Sequence, residues 1–154
     1  MSKKAVLEKV MAEHVLDSKK VGKIVYREED LITMVSPFLG FPDLHDFLLL
    51  EDDNYVPFMW FHSVEDPNVA FVVLPIKSFF KEFNPKIPKR ELKILQATSF
   101  DEITFFGIVV VPENPREATI NLRAPLAINL NKKIAKQIIL DDDKWQIKTP
   151  LFSE

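Results

Sequence analysis

Three histidines, His14, His45 and His62, and two acid runs, Glu51-Asp52-Asp53 and Asp141-Asp142-Asp143, are the places where this chain could do chemistry. Histidine supplies most general bases and many metal ligands, yet no two of these share a His-x-His or His-Glu-x-x-His spacing. His62 stands beside Ser63, with Glu65 and Asp66 close behind, so the types needed for nucleophilic catalysis are adjacent. Adjacent residues on a strand point to opposite faces, however, whereas a triad converges from separate parts of a fold. His62 is therefore expected to be a half-buried strand residue with one satisfied hydrogen bond. The acid runs have the carboxylates for a hard cation or an acid–base pair. Neither matches the twelve-residue calcium loop with its sixth-position glycine, and both lie between apolar runs, where aspartate makes turns. With only three glycines and no cysteine in 154 residues, phosphate-cradling loops, thiolate metal sites and disulfides lack their materials. The expectation is no catalytic residue, no metal, no cofactor, and no enzyme.

The elements that would position these groups are mostly strands. Residues 154 in number suit one domain. Residues 1–20 give only a partial helical stripe (Leu7, Val10, Met11, Val15) and are read as a peripheral extension, a short helix or a strand-like lead-in. From residue 21 to 154 the pattern is that of one β-barrel-like domain. Val21–Tyr26 and Leu31–Val35, joined by Glu28-Glu29-Asp30, read as a hairpin. Apolar runs follow at Phe47–Leu50, Phe58–His62 and Val69–Leu74, then Ile103–Val111, Ala118–Arg123, Leu126–Leu130, Ile134–Leu140 and Trp145–Lys148. Several are apolar on both faces, which suits a barrel interior whose wall is also covered from outside. Pro75–Phe80 predicts a short helical turn, and Pro88–Ala97 a short helix with Pro88 in its first turn. The fold class is all-β: mainly β with one or two short helices, antiparallel and barrel-like.

Charge and hydropathy narrow the setting. The net charge is −3 and lysine and arginine are scattered among acids, so direct nucleic-acid binding is not expected. No segment reaches the 18 or so apolar residues of a membrane span, and the Met1-Ser2-Lys3-Lys4 start leads into no uninterrupted apolar stretch. A cytoplasmic protein is expected.

Four segments carry a resemblance to a known family. They are Phe41-Pro42 before Phe47–Leu50; Pro57–Pro67 followed by Val69–Val73; Thr119–Asn129; and Ala135–Leu140, ending in Pro150-Leu151. Their order and spacing from about Gly22 to Leu151 resemble the flagellar assembly factor family (FliW), Asn121–Asn129 being the most specific stretch. The family's usual Gly-Leu-Pro-Gly-Phe loop here reads Pro37-Phe38-Leu39-Gly40-Phe41, its usual glutamine before Ser63 is His62, and its usual glycine before Lys136 is Ala135. The loop change bears on partner specificity more than on fold. The resemblance implies a regulator of flagellum assembly that binds flagellin as a chaperone-like partner. It also implies binding of the RNA-binding translational regulator CsrA, whose repression of flagellin translation such a factor antagonises by partner switching.

Such a role needs side chains that meet partners. Phe38, Phe58 and Trp60 are the apolar candidates, and Glu65 and Asp66 the acidic ones on their turn. A strand aromatic is more often simply core. Asn121, Arg123 and Asn129 interrupt apolar strands with polar groups and are candidates too, although side-chain bonds to neighbouring loops would explain them equally. Two other classes compete. One is a small-molecule-binding barrel, or an enzyme in a barrel mouth lined by some of the thirteen phenylalanines. The other is an interaction module unconnected with flagella.

Overall fold

The structure, a computed structural model, describes residue 3 and residues 12–152. Its first strands, β1 (Glu13–Ser18) and β2 (Gly22–Arg27), form an antiparallel hairpin that is a sheet of its own. Gly22 takes φ +81 at its turn, a left-handed conformation open to glycine. The other strands are β3 (Ile32–Met34), β4 (Asp46–Glu51), β5 (Met59–Ser63), β6 (Ala70–Pro75), β7 (Thr104–Val110), β8 (Thr119–Asn129), β9 (Ile134–Gln137) and β10 (Thr149–Pro150).

Seven of them close a barrel in the order β8-β7-β6-β5-β4-β3-β9, with β9 returning to β8. Closure leaves no free edge around the ring, which removes the usual hazard of an exposed strand. Every neighbour is antiparallel except β3 and β9, which run parallel at Thr33↔Ile134. The short β10 adds to the first half of β8, past the point where β9 has ended.

Alternation along each strand builds two cores. Phe47, Phe61, Val73, Phe106, Leu126 and Ile128 fill the barrel, with Phe47 and Phe61 stacked at 4.5 Å between ring centroids. Their neighbours Leu74, Val109, Ile120 and Ala127 point outward into a second core. That outer core is roofed by residues 76–103, with the short helix α1 (Arg90–Ile94), and by residues 138–151 with Trp145. Two apolar faces on β6 and β7 thus have two layers to meet. Gly107 sits at the break in register between β7 and β8, and a Cβ there would run into the Ile120 side chain.

Three expected elements differ. β2 pairs with β1 rather than with β3. The Glu28–Asp30 turn is a 3-10 turn in which Asp30 Oδ2 accepts from the Arg27 amide at 2.9 Å, and it redirects the chain between two sheets instead of closing a hairpin. Residues 145–148 are not a strand. Trp145 is instead a buried plug whose ring meets Phe83 edge-on at 4.9 Å, and the strand comes later, at Thr149–Pro150. In the lead-in, residues 13–18 are strand, so one hairpin spans the expected boundary at residue 20; residues 4–11 lie outside the described residues.

Candidate interaction surface

The Ser-His pairing anticipated around His62 exists, with a different serine and a different use. His62 Nε2 lies 2.5 Å from Ser18 Oγ, and Nδ1 lies 2.7 Å from the Ser63 carbonyl. A carbonyl only accepts, so Nδ1 carries the proton and Nε2 accepts from the Ser18 hydroxyl. Ser18 Oγ also accepts from the Lys20 and Val21 amides at 3.0 Å each. Both oxygen lone pairs and the hydroxyl proton are therefore occupied, and His62 is 0% exposed. No substrate reaches this pair, and Ser18 has no free lone pair for attack. Its effect is to fasten the hairpin to the barrel, beside the Lys19 amide bonded to the Pro67 carbonyl at 3.0 Å. His62 is thus fully buried with two hydrogen bonds, where half burial and one bond were expected.

The candidate partner residues fall into two groups. Phe38 is 2% exposed and stacks on Phe71 at 4.9 Å, plugging the barrel's interior core. Asn129 is equally buried: its Nδ2 donates to the Leu95 carbonyl at 2.8 Å, tying α1 to the end of β8, and its Oδ1 accepts from the Lys132 amide. Neither presents a surface in this structure. Asn121 Oδ1 accepts from the Arg123 and Ala124 amides at 3.0 Å each. Those amides belong to residues 122–125, which bulge out of register between the Phe106↔Leu126 and Ile108↔Asn121 pairs. Arg123 Nε donates to the Leu140 carbonyl at 3.3 Å and Nη2 pairs with Asp143 at 3.1 Å, holding the C-terminal roof. Glu65 Oε1 accepts from the His45 and Asp46 amides at 2.5 and 2.7 Å, and Asp66 caps the Asn68 amide at 2.9 Å.

Phe58 and Trp60 belong to the second group. Trp60 lies across from Leu50 on β4 and Val72 on β6, on the outer face of the barrel, and packs into neither core. One rung further on, Leu48 and His62 are buried beside the hairpin, whereas the Leu50–Trp60–Val72 rung is half exposed. Phe58 adjoins it, 6.5 Å from the Phe79 ring between centroids. Tyr55 and Val56, 62% and 67% exposed, extend the strip. The acidic turn Glu51-Asp52-Asp53 borders it, with Asp52 Oδ1 accepting from the Asn54 amide at 3.0 Å. The strip is thus aromatic and aliphatic with an acidic border. Tyr55, Val56 and Phe79 were missed in the sequence; the signal available was an apolar pair set inside an otherwise acidic turn.

The barrel does not enclose a lumen, because phenylalanines fill it. At one mouth a recess of about 600 Å³ is lined mostly by apolar side chains, including Leu50, Met59 and Leu130, with Tyr26 at the hairpin side. Burial, then the charges of Asp46 and Glu28, push the Tyr26 hydroxyl above the usual tyrosine value. Glu102 is held below the ordinary glutamate value by amide hydrogen bonds from Thr98 and Ser99. Among the described residues no three His, Cys, Asp or Glu side chains gather as a metal site, and no helix is long and apolar enough to cross a membrane.

The fold is that of a small closed β-barrel protein: seven strands in a ring, a roofed outer core and an aromatic strip on the wall. The chain belongs to the FliW family: the "FliW protein" family model matches residues 15–151. It is 38% identical over 140 residues to the flagellar assembly factor FliW of Caldanaerobacter subterraneus subsp. tengcongensis, covering 90% of this chain and 93% of the relative. The FliW of Bdellovibrio bacteriovorus is 33% identical over 140 residues, covering 91% and 80%. A crystal structure of the flagellar assembly factor FliW superposes with a TM-score of 0.86 at 29% identity, covering 92% of this chain and 99% of the other. The all-β barrel expected from the sequence is the fold observed, and the family resemblance is membership. The protein is a flagellar assembly factor.

Proposed function

We propose that the protein works by occupancy in the cytoplasm, binding flagellin as a chaperone-like partner and CsrA as the alternative one, with no bond made or broken. Flagellin on the factor leaves CsrA free to repress flagellin translation; once flagellin is exported, the freed factor takes up CsrA. This requires only linked equilibria, since whatever occupies the factor lowers its free concentration for the other partner.

The observation that supports this reading best is the Trp60 strip. Leu50 and Trp60 are packed into neither core among the described residues and, with Phe58 and Val72 at the margin of the outer core, form a partly buried face, whereas Leu48 and His62 on the neighbouring rung are buried. Large aromatics left half open on a rigid wall, with charge at the rim, are what binding hot spots are made of. The acids at 51–53 favour a partner surface rich in lysine and arginine and speed encounter with it. Glu65 and Asp66 keep a supporting part, holding the turn that follows β5.

The test compares Trp60→Ala with the parent protein by calorimetric titration against each partner. A loss of at least about tenfold in affinity for one or both, with an unchanged thermal midpoint, is the expected result. Unchanged affinity for both partners would remove the strip from the account.

A further inference from the structure

The recess of about 600 Å³ at the barrel mouth has walls of Leu49, Leu50, Met59 and Leu130, none of them fully buried, and Tyr26 of β2 on its hairpin side. That volume lies within the range of about 300–1,000 Å³ usual for a site that takes an apolar group. The hairpin also brings the start of the chain to this place. Glu13 stands opposite Arg27 in the β1–β2 register, and the His14 ring stacks on the Tyr26 ring at 5.3 Å between centroids. Met11 is three positions before His14, within about 11 Å of it even at full extension. The chain therefore enters β1 within reach of the recess.

Residues 4–11 lie outside the described residues and before residue 15, where the family match begins. Their sequence carries Leu7, Val10 and Met11 at helical spacing, an apolar stripe with no role in the barrel's own pattern. Charge leans the same way. The rim has Asp30 and Glu51 against Lys133, and the start of the chain has Lys3, Lys4 and Lys9 against Glu8. Asp30 already accepts from the Arg27 amide, so charge assists and the tether decides. An apolar group attached beside an apolar recess stands there at a millimolar effective concentration, which no free occupant matches at ordinary dilution. We infer that residues 4–11 dock in this recess within the same molecule, with Leu7, Val10 and Met11 against its apolar wall. The mouth is then closed by the chain itself, beside the Trp60 strip with which it shares Leu50, and is not free for a small ligand. The inference does not depend on the partners proposed above.

The test uses the full-length ¹⁵N-enriched protein carrying a nitroxide on Ser2→Cys, a unique label because the chain has no cysteine. At a millimolar effective concentration, a contact with a millimolar dissociation constant is about half occupied. The Leu50, Met59 and Leu130 amides should then lose at least about half of their NMR intensity to the label. Those of Phe71 and Val110, toward the opposite ends of β6 and β7, should keep theirs. Leu7→Asp with Val10→Asp, outside every strand of the barrel, puts two charges into an apolar contact and should restore the recess amides. A mixture of nitroxide-bearing unenriched protein with enriched protein lacking the label should show no loss. Absence of attenuation, attenuation spread over the surface or centred on the opposite mouth, or no response to the double substitution would each overturn the inference. Loss in the mixture would overturn it in favour of a second copy as the occupant.

Discussion

Ser18 and His62, 44 positions apart, share a buried 2.5 Å hydrogen bond, the one side-chain hydrogen bond among the described residues between the hairpin and the barrel wall. The serine hydroxyl has no spare valence, and the imidazole has none either. Replacing Ser18 by alanine leaves Nε2 of a fully buried histidine without a donor and frees two backbone amides. An unsatisfied buried group of this kind costs about 1–3 kcal/mol. Chemical denaturation of Ser18→Ala should show that loss, with faster amide exchange confined first to residues 13–27. An unchanged midpoint would mean that the hairpin is held by other contacts.

Glu91 is a buried acid on α1, and its carboxylate lies 2.9 and 3.0 Å from the Lys136 ammonium on β9. Oε2 makes the closer approach but lacks hydrogen-bond alignment, so the attraction there is electrostatic. Removing one partner strands a partly buried charge, whereas removing both does not. Since Lys136 keeps some access to water, Glu91→Met or Lys136→Met alone is expected to cost about 1–3 kcal/mol, less than for a fully buried pair. The double variant Glu91→Met with Lys136→Met should recover most of it. Denaturation of the four proteins as a double-mutant cycle measures this, and additive effects would contradict it.

Glu102 closes the turn before β7, accepting from the Ser99 amide at 3.2 Å and from the Thr98 amide. Folding favours its ionised form, so the native state binds fewer protons than the unfolded chain here. The stabilisation is present above the unfolded glutamate value, about 4.3, and is lost as pH falls through the lower folded value. Glu102→Gln should therefore flatten stability against pH below about 4.5 and leave the slope above pH 6 unchanged. A parallel decline in both proteins would show that this turn does not contribute to acid sensitivity.

How much of this was legible in the sequence follows from the range of each interaction. The double-faced apolar runs Val69–Leu74 and Ile103–Val111 announced a covered barrel wall, because burial on both faces leaves its mark within the strand itself. The Asn121–Asn129 stretch stood out because Asn121 and Asn129 bond to backbone, 121 locally at its bulge and 129 at the distant carbonyl of Leu95. Pairing was harder. The hairpin between residues 21 and 35 looked complete in sequence, yet the Glu28–Asp30 turn has the wrong geometry to close it, and β1 lay within a stretch whose periodicity was mixed. Ser18 was invisible, since nothing near it signals a histidine 44 positions away. Phe38 looked like a loop aromatic; only the closed ring shows that its loop folds back over the barrel interior.

The claim at the centre of this account is that one partner excludes the other, and displacement measures it directly. Labelled CsrA bound to the full-length factor is titrated with flagellin and followed by anisotropy, with size-exclusion chromatography on the end point. Occupancy predicts that anisotropy falls to the value of free CsrA and that flagellin elutes with the factor. A ternary complex of all three proteins, or CsrA retained at saturating flagellin, would contradict it.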